Sequence, residues 1–288
     1  MRDATHTPVW QVVGCSVKGA SHVRSGLPNQ DAMRWLPEGG VDATVIIAVA
    51  DGHGSARCFR SDHGAALAVL AATDALTEFA DGLRDLPGLS AVKRAAEERL
   101  PQEIERRWNA AVDADLADHP LTEAELGRLE ERDGARSRER VLTTPRLTYG
   151  ATLLSALLTD AFLLFLQLGD GDILAVDDDG AVTRPVPGDS RLFGNETTSL
   201  AGSDAWRDMR VGFIALAGPP PALVLLATDG YANSFRDDAG FLQVGADLLS
   251  LIRGDGLAVV AAALPTWLAE ASEAGSGDDI TLVVASRP

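Results

Sequence analysis

Two cysteines, Cys15 and Cys58, are all that the chain contains, with no Cys-x-x-Cys and no His/Cys spacing suited to zinc. That excludes a disulfide scaffold, and a reduced, intracellular protein is the simplest reading. The N-terminal Met1-Arg2-Asp3-Ala4-Thr5-His6 lacks the apolar segment of a secretory signal, so a cytoplasmic location is expected. A membrane-length run is missing too. The longest apolar region, Ala151 to Leu168, is broken by Thr159-Asp160 and divides better into two strands than it reads as one span. Basic residues are few, 25 against 42 acidic ones, for a formal charge of −17. This balance argues against nucleic acid and anionic membranes as partners, because both select basic faces. Most of the acidity reads as solubilising surface. The rest would be offset if aspartates held divalent cations.

What the chain has is aspartate at the ends of apolar runs. Thr44-Val45-Ile46-Ile47-Ala48-Val49-Ala50 predicts a strand buried on both faces, and it ends in Asp51-Gly52-His53-Gly54. An aspartate directly after such a strand is aimed by a rigid sheet, and the glycine beside it brings backbone carbonyls close to a bound ion. Asp-Gly alone is weak, since the chain has seven and a turn explains most, including those at Asp81, Asp133, Asp179 and Asp255. The strand-end pattern recurs at Asp229-Gly230 after Ala222 to Thr228. Its mirror is Asp278-Asp279 before Ile280 to Ser286. Three carboxylate sites on strand ends, distant in sequence, suit a hard cation such as Mg²⁺ or Mn²⁺.

In chain order, Trp10 to Val17 and Ala32 to Leu36 predict strands joined by a polar loop from Gly19 to Asp31. Ser61 to Ala80 predicts a helix capped by Ser61, and Ser90 to Val112 a second, with Trp108 in its core-facing stripe. Residues 113–146 read as a charged surface excursion, with a capping box at Thr122-Glu123-Ala124-Glu125. Strands follow at 150–158 and 161–168, a turn at 169–172, and a hairpin of 173–176 with 181–183 through Asp179-Gly180. Residues 185–210 have no period and predict an irregular, flap-like loop. Strands at 211–217 and 222–228 precede helices at 241–252 and 257–271, the latter kinked or divided by Pro265. The last strand is 280–286. Hairpin-joined strands with paired helices between them predict an α+β fold, and no linker or repeat divides the single domain 1–288.

Two hard cations bridged by one carboxylate orient and deprotonate a water for in-line attack on phosphorus. Asp51 is the natural bridge, Gly52 lends its carbonyl, and His53 stands within reach as an acid for the leaving oxygen. The order Asn29-Gln30-Asp31-Ala32, Asp51-Gly52-His53-Gly54, Gly150-Ala151-Thr152, Gly169-Asp170, Asp229-Gly230 and Asp278-Asp279-Ile280-Thr281 resembles the metal-dependent protein phosphatase family, type 2C. Each motif is weak alone, but the set in order is specific. The resemblance implies a four-layer α-β-β-α sandwich of two antiparallel sheets flanked by helix pairs, with a two-metal cleft at the sheet ends. It implies hydrolysis of phosphoserine and phosphothreonine with Mn²⁺ or Mg²⁺. Asp229 and Asp278 would hold the other side of one ion and Asp31 would order water beside it. The implied partners are a phosphorylated protein and a serine/threonine kinase, with the phosphatase itself a monomer.

Departures from the family pattern fall at two places. The phosphate-binding arginine would be Arg24, seven residues before Asp31 across a loop two residues longer than usual. A third metal would draw on an aspartate at 233, where this chain has Asn233, and on one between Thr143 and Tyr149, where it has none. Two strong metal sites and a weak or absent third are therefore expected. The rival readings are a non-catalytic phosphatase-like binding module and a metal-dependent esterase of small phosphorylated molecules.

Overall fold

Val45 to Asp51 forms one strand, and alternate residues of it enter two different cores. Val45, Ile47 and Val49 face one apolar cluster, while Ile46, Ala48 and Ala50 face another. Burial of each Val or Ile side chain contributes about 1.5–3 kcal/mol, so this strand is fixed from both sides. A computed structural model describes residues 9–188 and 197–287. The strands in chain order are β1 (Trp10–Val17), β2 (Asp31–Leu36), β3 (Val41–Asp42), β4 (Val45–Asp51), β5 (Leu153–Leu158), β6 (Phe162–Leu168), β7 (Asp172–Val176), β8 (Val182–Thr183), β9 (Arg210–Ala215), β10 (Leu223–Ala227) and β11 (Ile280–Ser286). The helices are α1 (Ala20–Ser25), α2 (Ser61–Asp81), α3 (Leu89–Asp118), α4 (Glu123–Asp133), α5 (Ala135–Thr143), α6 (Asp229–Ala232), α7 (Asp238–Asp255) and α8 (Leu257–Ala274).

Two antiparallel sheets result, ordered β3-β1-β11-β10-β7-β8 and β2-β4-β5-β6-β9. Between them lies the cluster of Trp10, Ile47, Phe165, Leu226 and Val283. The outer face of the five-stranded sheet is covered by α2 and α3, whose Trp108 is fully buried and donates its indole N–H to the Gly64 carbonyl at 3.0 Å. The other outer face is covered by α7 and α8. The expected α+β, α-β-β-α architecture is the one observed.

Several local expectations need correction. The polar loop before Asp31 contains α1, a six-residue helix bounded by Gly19 and Gly26, with no side-chain cap to announce it. Ser61 does not cap α2. Arg60 is the N-cap residue, and the Ser61 hydroxyl instead accepts from Gln30 Nε2 at 2.6 Å. The turn at 169–172 is a crossing between sheets, made possible by Gly169 at φ +100°, a conformation that penalises side chains. Pro265 does not divide α8, which runs unbroken from Leu257 to Ala274 with Pro265 on its exposed side.

The charged excursion is helical. Its capping box forms as expected, with Glu125 N–H donating to Thr122 Oγ1 at 3.2 Å and Thr122 N–H to Glu125 Oε2 at 2.8 Å. Leu126, Leu129 and Val141 of α4 and α5 bury against Ala56, Phe59 and Leu121, so the pair is seated on the loop that follows Asp51. Of the expected flap 185–210, residues 189–196 lie outside the described residues. The remainder includes a 3₁₀ turn at Ala205–Arg207, whose Ala205 N–H donates to Glu105 Oε1 at 3.1 Å.

Candidate metal centre

β2 and β4 pair so that Asp31 stands directly opposite Asp51. Like charges in that relation are unfavourable in a sheet, so the backbone around them must be held by other means. Thr152 clamps Asp51, donating its N–H to the Asp51 carbonyl at 2.8 Å and accepting the Asp51 N–H at 3.1 Å. Gly52 donates to the Gln30 carbonyl at 3.0 Å, and a Cβ there would fall 2.5 Å from the Ser61 carbonyl oxygen. Only glycine fits. Gln30 also donates its N–H to Asp279 Oδ2 at 2.6 Å, which ties this corner to the other sheet.

From that other sheet come the remaining carboxylates. Asp229 opens α6 immediately after β10, and Asp278 and Asp279 precede β11. Thr228 stitches the sheets together: its hydroxyl donates to Asp31 Oδ2 at 2.8 Å and accepts the Thr281 N–H at 2.9 Å. Asp51, Gly52, His53, Asp170, Asp229 and Asp278 line one cleft of about 1170 Å³.

Electrostatics here run against ionisation. Burial pushes the Asp31 carboxyl up to about 7, with the charges of Asp279 and Asp278 adding to it and hydrogen bonds from Thr281 and Thr228 opposing. Asp51 is held well above the usual carboxylate range by burial and by the charges of Asp31 and Asp229, with which its carboxyl also shares a hydrogen bond in the case of Asp229. Burial and the charge of Asp170 lift Asp229 to about 6. Asp31 Oδ1 is buried with no hydrogen-bond partner. Crowded carboxylates, one with an orphaned oxygen, and a nearby backbone carbonyl are a donor set that fits Mg²⁺ or Mn²⁺.

Asp278 is turned differently. Its Oδ1 accepts the Asp279 N–H at 2.9 Å and lies 4.0 Å from His22 Nε2. Among the described residues the trio whose ligand atoms all fall within 4.8 Å of one another is His22, Asp278 and Asp279, while Asp51, Asp229 and Asp278 stand wider apart. His22 Nδ1 meets Asp279 Oδ2 at 2.8 Å, and Asp279 Oδ1 accepts the Gly19 N–H at 2.6 Å. Asp279 therefore bolts α1 and the start of β2 to β11.

The expected site residues separate into two sets. Asp51, Gly52, His53, Asp229 and Asp278 line the cleft at the sheet ends, and Asp31 stands opposite Asp51 in the sheet, behind that lining. Arg24 does not join them: it is exposed on α1, with its Nη2 near Gly277, and it is absent from the cleft lining. His53 is half-buried beside Gly150 and Cys58. Burial lowers its pKa while the charge of Asp170 raises it. Sequence reasoning assigned no role to His22, Asp170 or Asp279. Asp170 is held by Thr197 Oγ1 at 2.9 Å, and its Asp-Gly sequence looks like any turn. Asn233 Nδ2 donates to Asp229 Oδ2 at 3.0 Å.

The solved structures most like this fold include the Mycobacterium tuberculosis serine/threonine phosphatase PstP/Ppp, at 18% identity and TM-score 0.53, covering 96% of this chain and 98% of that one. The catalytic domain of PstP in complex with two manganese ions matches at 19% identity and TM-score 0.53, over 97% and 98% of the two chains. PppA, a regulatory component of type VI secretion in Pseudomonas aeruginosa, matches at 17% identity and TM-score 0.51, over 97% and 98%. At such identities these likenesses show the fold. A comparison with curated proteins gave no match. The family model of protein phosphatase 2C matches residues 18–269, most of the chain, and with the acidic cleft at the sheet ends this places the protein in the protein phosphatase 2C family.

Proposed function

We propose that the protein removes phosphate from serine and threonine side chains of phosphorylated proteins, using two Mn²⁺ or Mg²⁺ ions. The observation that carries this reading is the gathering of Asp51, Asp229 and Asp278 around one cleft, where burial and neighbouring carboxylates disfavour ionisation of Asp51 and Asp229. Carboxylates crowded in this way are stabilised by cations. Asp51, the Gly52 carbonyl, Asp229 and Asp278 would hold the ions. When bound, the ions supply neutralisation of the phosphate charge and a water acidic enough to attack phosphorus near neutral pH.

The chain's own residues do the rest. Asp31, tethered by Thr228, keeps one buried carboxyl oxygen without a hydrogen-bond partner, and that oxygen would accept from a water. His53 gives a proton to the serine or threonine oxygen as the P–O bond breaks, so the products are an alcohol and inorganic phosphate. Burial lowers the His53 pKa, and the neighbouring charge of Asp170 offsets part of that effect without reversing it. A third ion would be weak, since Asn233 adds no charge, and Asp170 is the carboxylate it would draw on beside Asp229. The substrate's phosphate comes from a partner serine/threonine kinase, and the phosphatase acts as a cytoplasmic monomer.

The test is phosphate release from a phosphothreonine peptide and from p-nitrophenyl phosphate, each with Mn²⁺ and with chelator. Release from both, abolished by chelator, is the expected result. Release from p-nitrophenyl phosphate alone favours a small-molecule esterase. No release from either at saturating Mn²⁺ leaves the non-catalytic binding module.

A further inference from the structure

The cleft is acidic at its floor, yet two arginines line it, Arg57 and Arg140. They come from places far apart in sequence that the fold has brought together. Arg57 lies on the loop after Asp51-Gly52-His53-Gly54, and Arg140 is on α5, within the charged excursion. The small core of Leu126, Leu129 and Val141 against Ala56 and Phe59 joins those two elements. Arg60 locks the joint, with Nε and Nη2 on the two carboxylate oxygens of Glu125 at 2.9 and 3.0 Å and Nη1 on the His119 carbonyl at 2.6 Å. The mounting is rigid.

The two guanidiniums themselves are not used up by the fold. Arg57 approaches Asp133 at 3.5 Å, a loose ion pair between exposed groups. Arg140 is exposed and makes no ion pair among the described residues. At 1170 Å³ the cleft is larger than a single phosphorylated side chain requires. Arg24, the residue expected to recognise phosphate, lies elsewhere on the surface.

We propose that Arg57 and Arg140 form an anion subsite on the rim of the cleft, which selects phosphorylated peptides carrying a second anionic residue beside the phosphorylated one. This rests on the reading of the cleft as a phosphoprotein site. The floor carboxylates would hold the ions that neutralise the phosphate, and the rim guanidiniums take the neighbouring carboxylate or phosphate through charge-assisted hydrogen bonds. In a chain of charge −17, an acidic substrate would otherwise be repelled, so the two arginines decide whether such substrates enter at all. The α4–α5 pair is thereby a specificity element rather than a solubilising appendage.

The experiment uses a peptide in which phosphoserine is replaced by its non-hydrolysable methylene phosphonate, flanked by glutamates or, in a matched peptide, by glutamines. Binding to the Mn²⁺-loaded protein is read by fluorescence anisotropy, and the ratio of affinities is compared between wild type and an Arg57→Gln/Arg140→Gln variant of unchanged melting temperature. The wild type is expected to prefer the acidic peptide about fivefold to tenfold, less at high salt, as two partly solvated charge contacts would give. The variant is expected to lose the preference. Equal affinity for the two peptides in the wild type, or an undiminished preference in the variant, overturns the subsite. If the variant melts low, Arg140→Lys replaces it, and retention of the charge should retain most of the preference. Because binding is read without turnover, absence of hydrolysis would end the catalytic reading and leave this result standing.

Discussion

The cleft floor and the α3–α5 region are built from the same residue types and behave oppositely. At the cleft floor, burial and the charges of neighbouring carboxylates raise the pKa values of Asp31, Asp51 and Asp229. In the α3–α5 region the acids meet arginines. Hydrogen bonds from Arg106 and Arg107 bring Glu103 down to about 2. Burial of Glu125 is outweighed by Arg60 and Thr122, which also bring it to about 2. Arg146 lowers Asp113 through hydrogen bonds of 2.7 and 2.5 Å. Stability explains the second region. It does not explain the first, where the fold has been made to carry a repulsive cluster.

The largest expected effect breaks that cluster. Asp51→Asn and Asp229→Asn should each lower phosphate release at least a thousandfold, as loss of several kcal/mol of metal-assisted stabilisation implies. In chelator the same variants should melt above the metal-free parent, since a repelling charge is gone. Hydrolysis within about tenfold of wild type would remove the two-metal reading.

A smaller effect sets the two regions against each other by pH. Asp31 and Asp229 have folded values near 7 and 6, above the ordinary carboxylate value, so between about pH 4 and 7 the folded protein keeps protons that the unfolded chain has released. Their contribution is thus complete at low pH and lost as pH rises. Glu103 and Glu125, at about 2, contribute above their unfolded value and lose that contribution as pH falls. In chelator the melting temperature should therefore peak near pH 5 and fall by on the order of 5 °C toward pH 7.5. Mn²⁺ should cancel the fall. A flat profile in chelator between pH 5 and 7.5 would show that the floor carboxylates do not repel.

Arg60→Ala tests the paired region. It removes a partly buried bidentate contact with Glu125 and should cost about 1–3 kcal/mol, lowering the melting temperature by several degrees. The smallest effect belongs to Arg24→Ala. From its exposed place on α1, kcat and KM should stay within about twofold of wild type. A tenfold rise in KM would mean that substrate reaches α1.

What was legible in the sequence followed from strong local chemistry. β-branched runs ending in aspartate marked β4 and β10, and Thr122 with Glu125 marked the start of α4, because each signal is complete within a few residues. α1 was hidden because six residues between two glycines carry no apolar period. Its one buried side chain, His22, is explained by Asp279, 257 positions away. α5 was hidden because Val141 is its one buried residue, and the surrounding charges look the same in a coil as in a helix. The opposition of Asp31 and Asp51 is a matter of strand register, which no stretch of sequence displays. Asp170 has the same difficulty, since its acidic neighbours belong to other elements.

The order of strands in the larger sheet bears on how the protein is made. β11, far from β1 in chain order, is not at an edge but between β1 and β10. Until it pairs, the first strand has no partner across which to reach the tenth, and Asp279 is not there to fasten the segment before Asp31. The acidic cleft therefore assembles only once β11 is in place. Such long-range closure is slow relative to helix formation, so the paired helices are ready before the sheet that joins them.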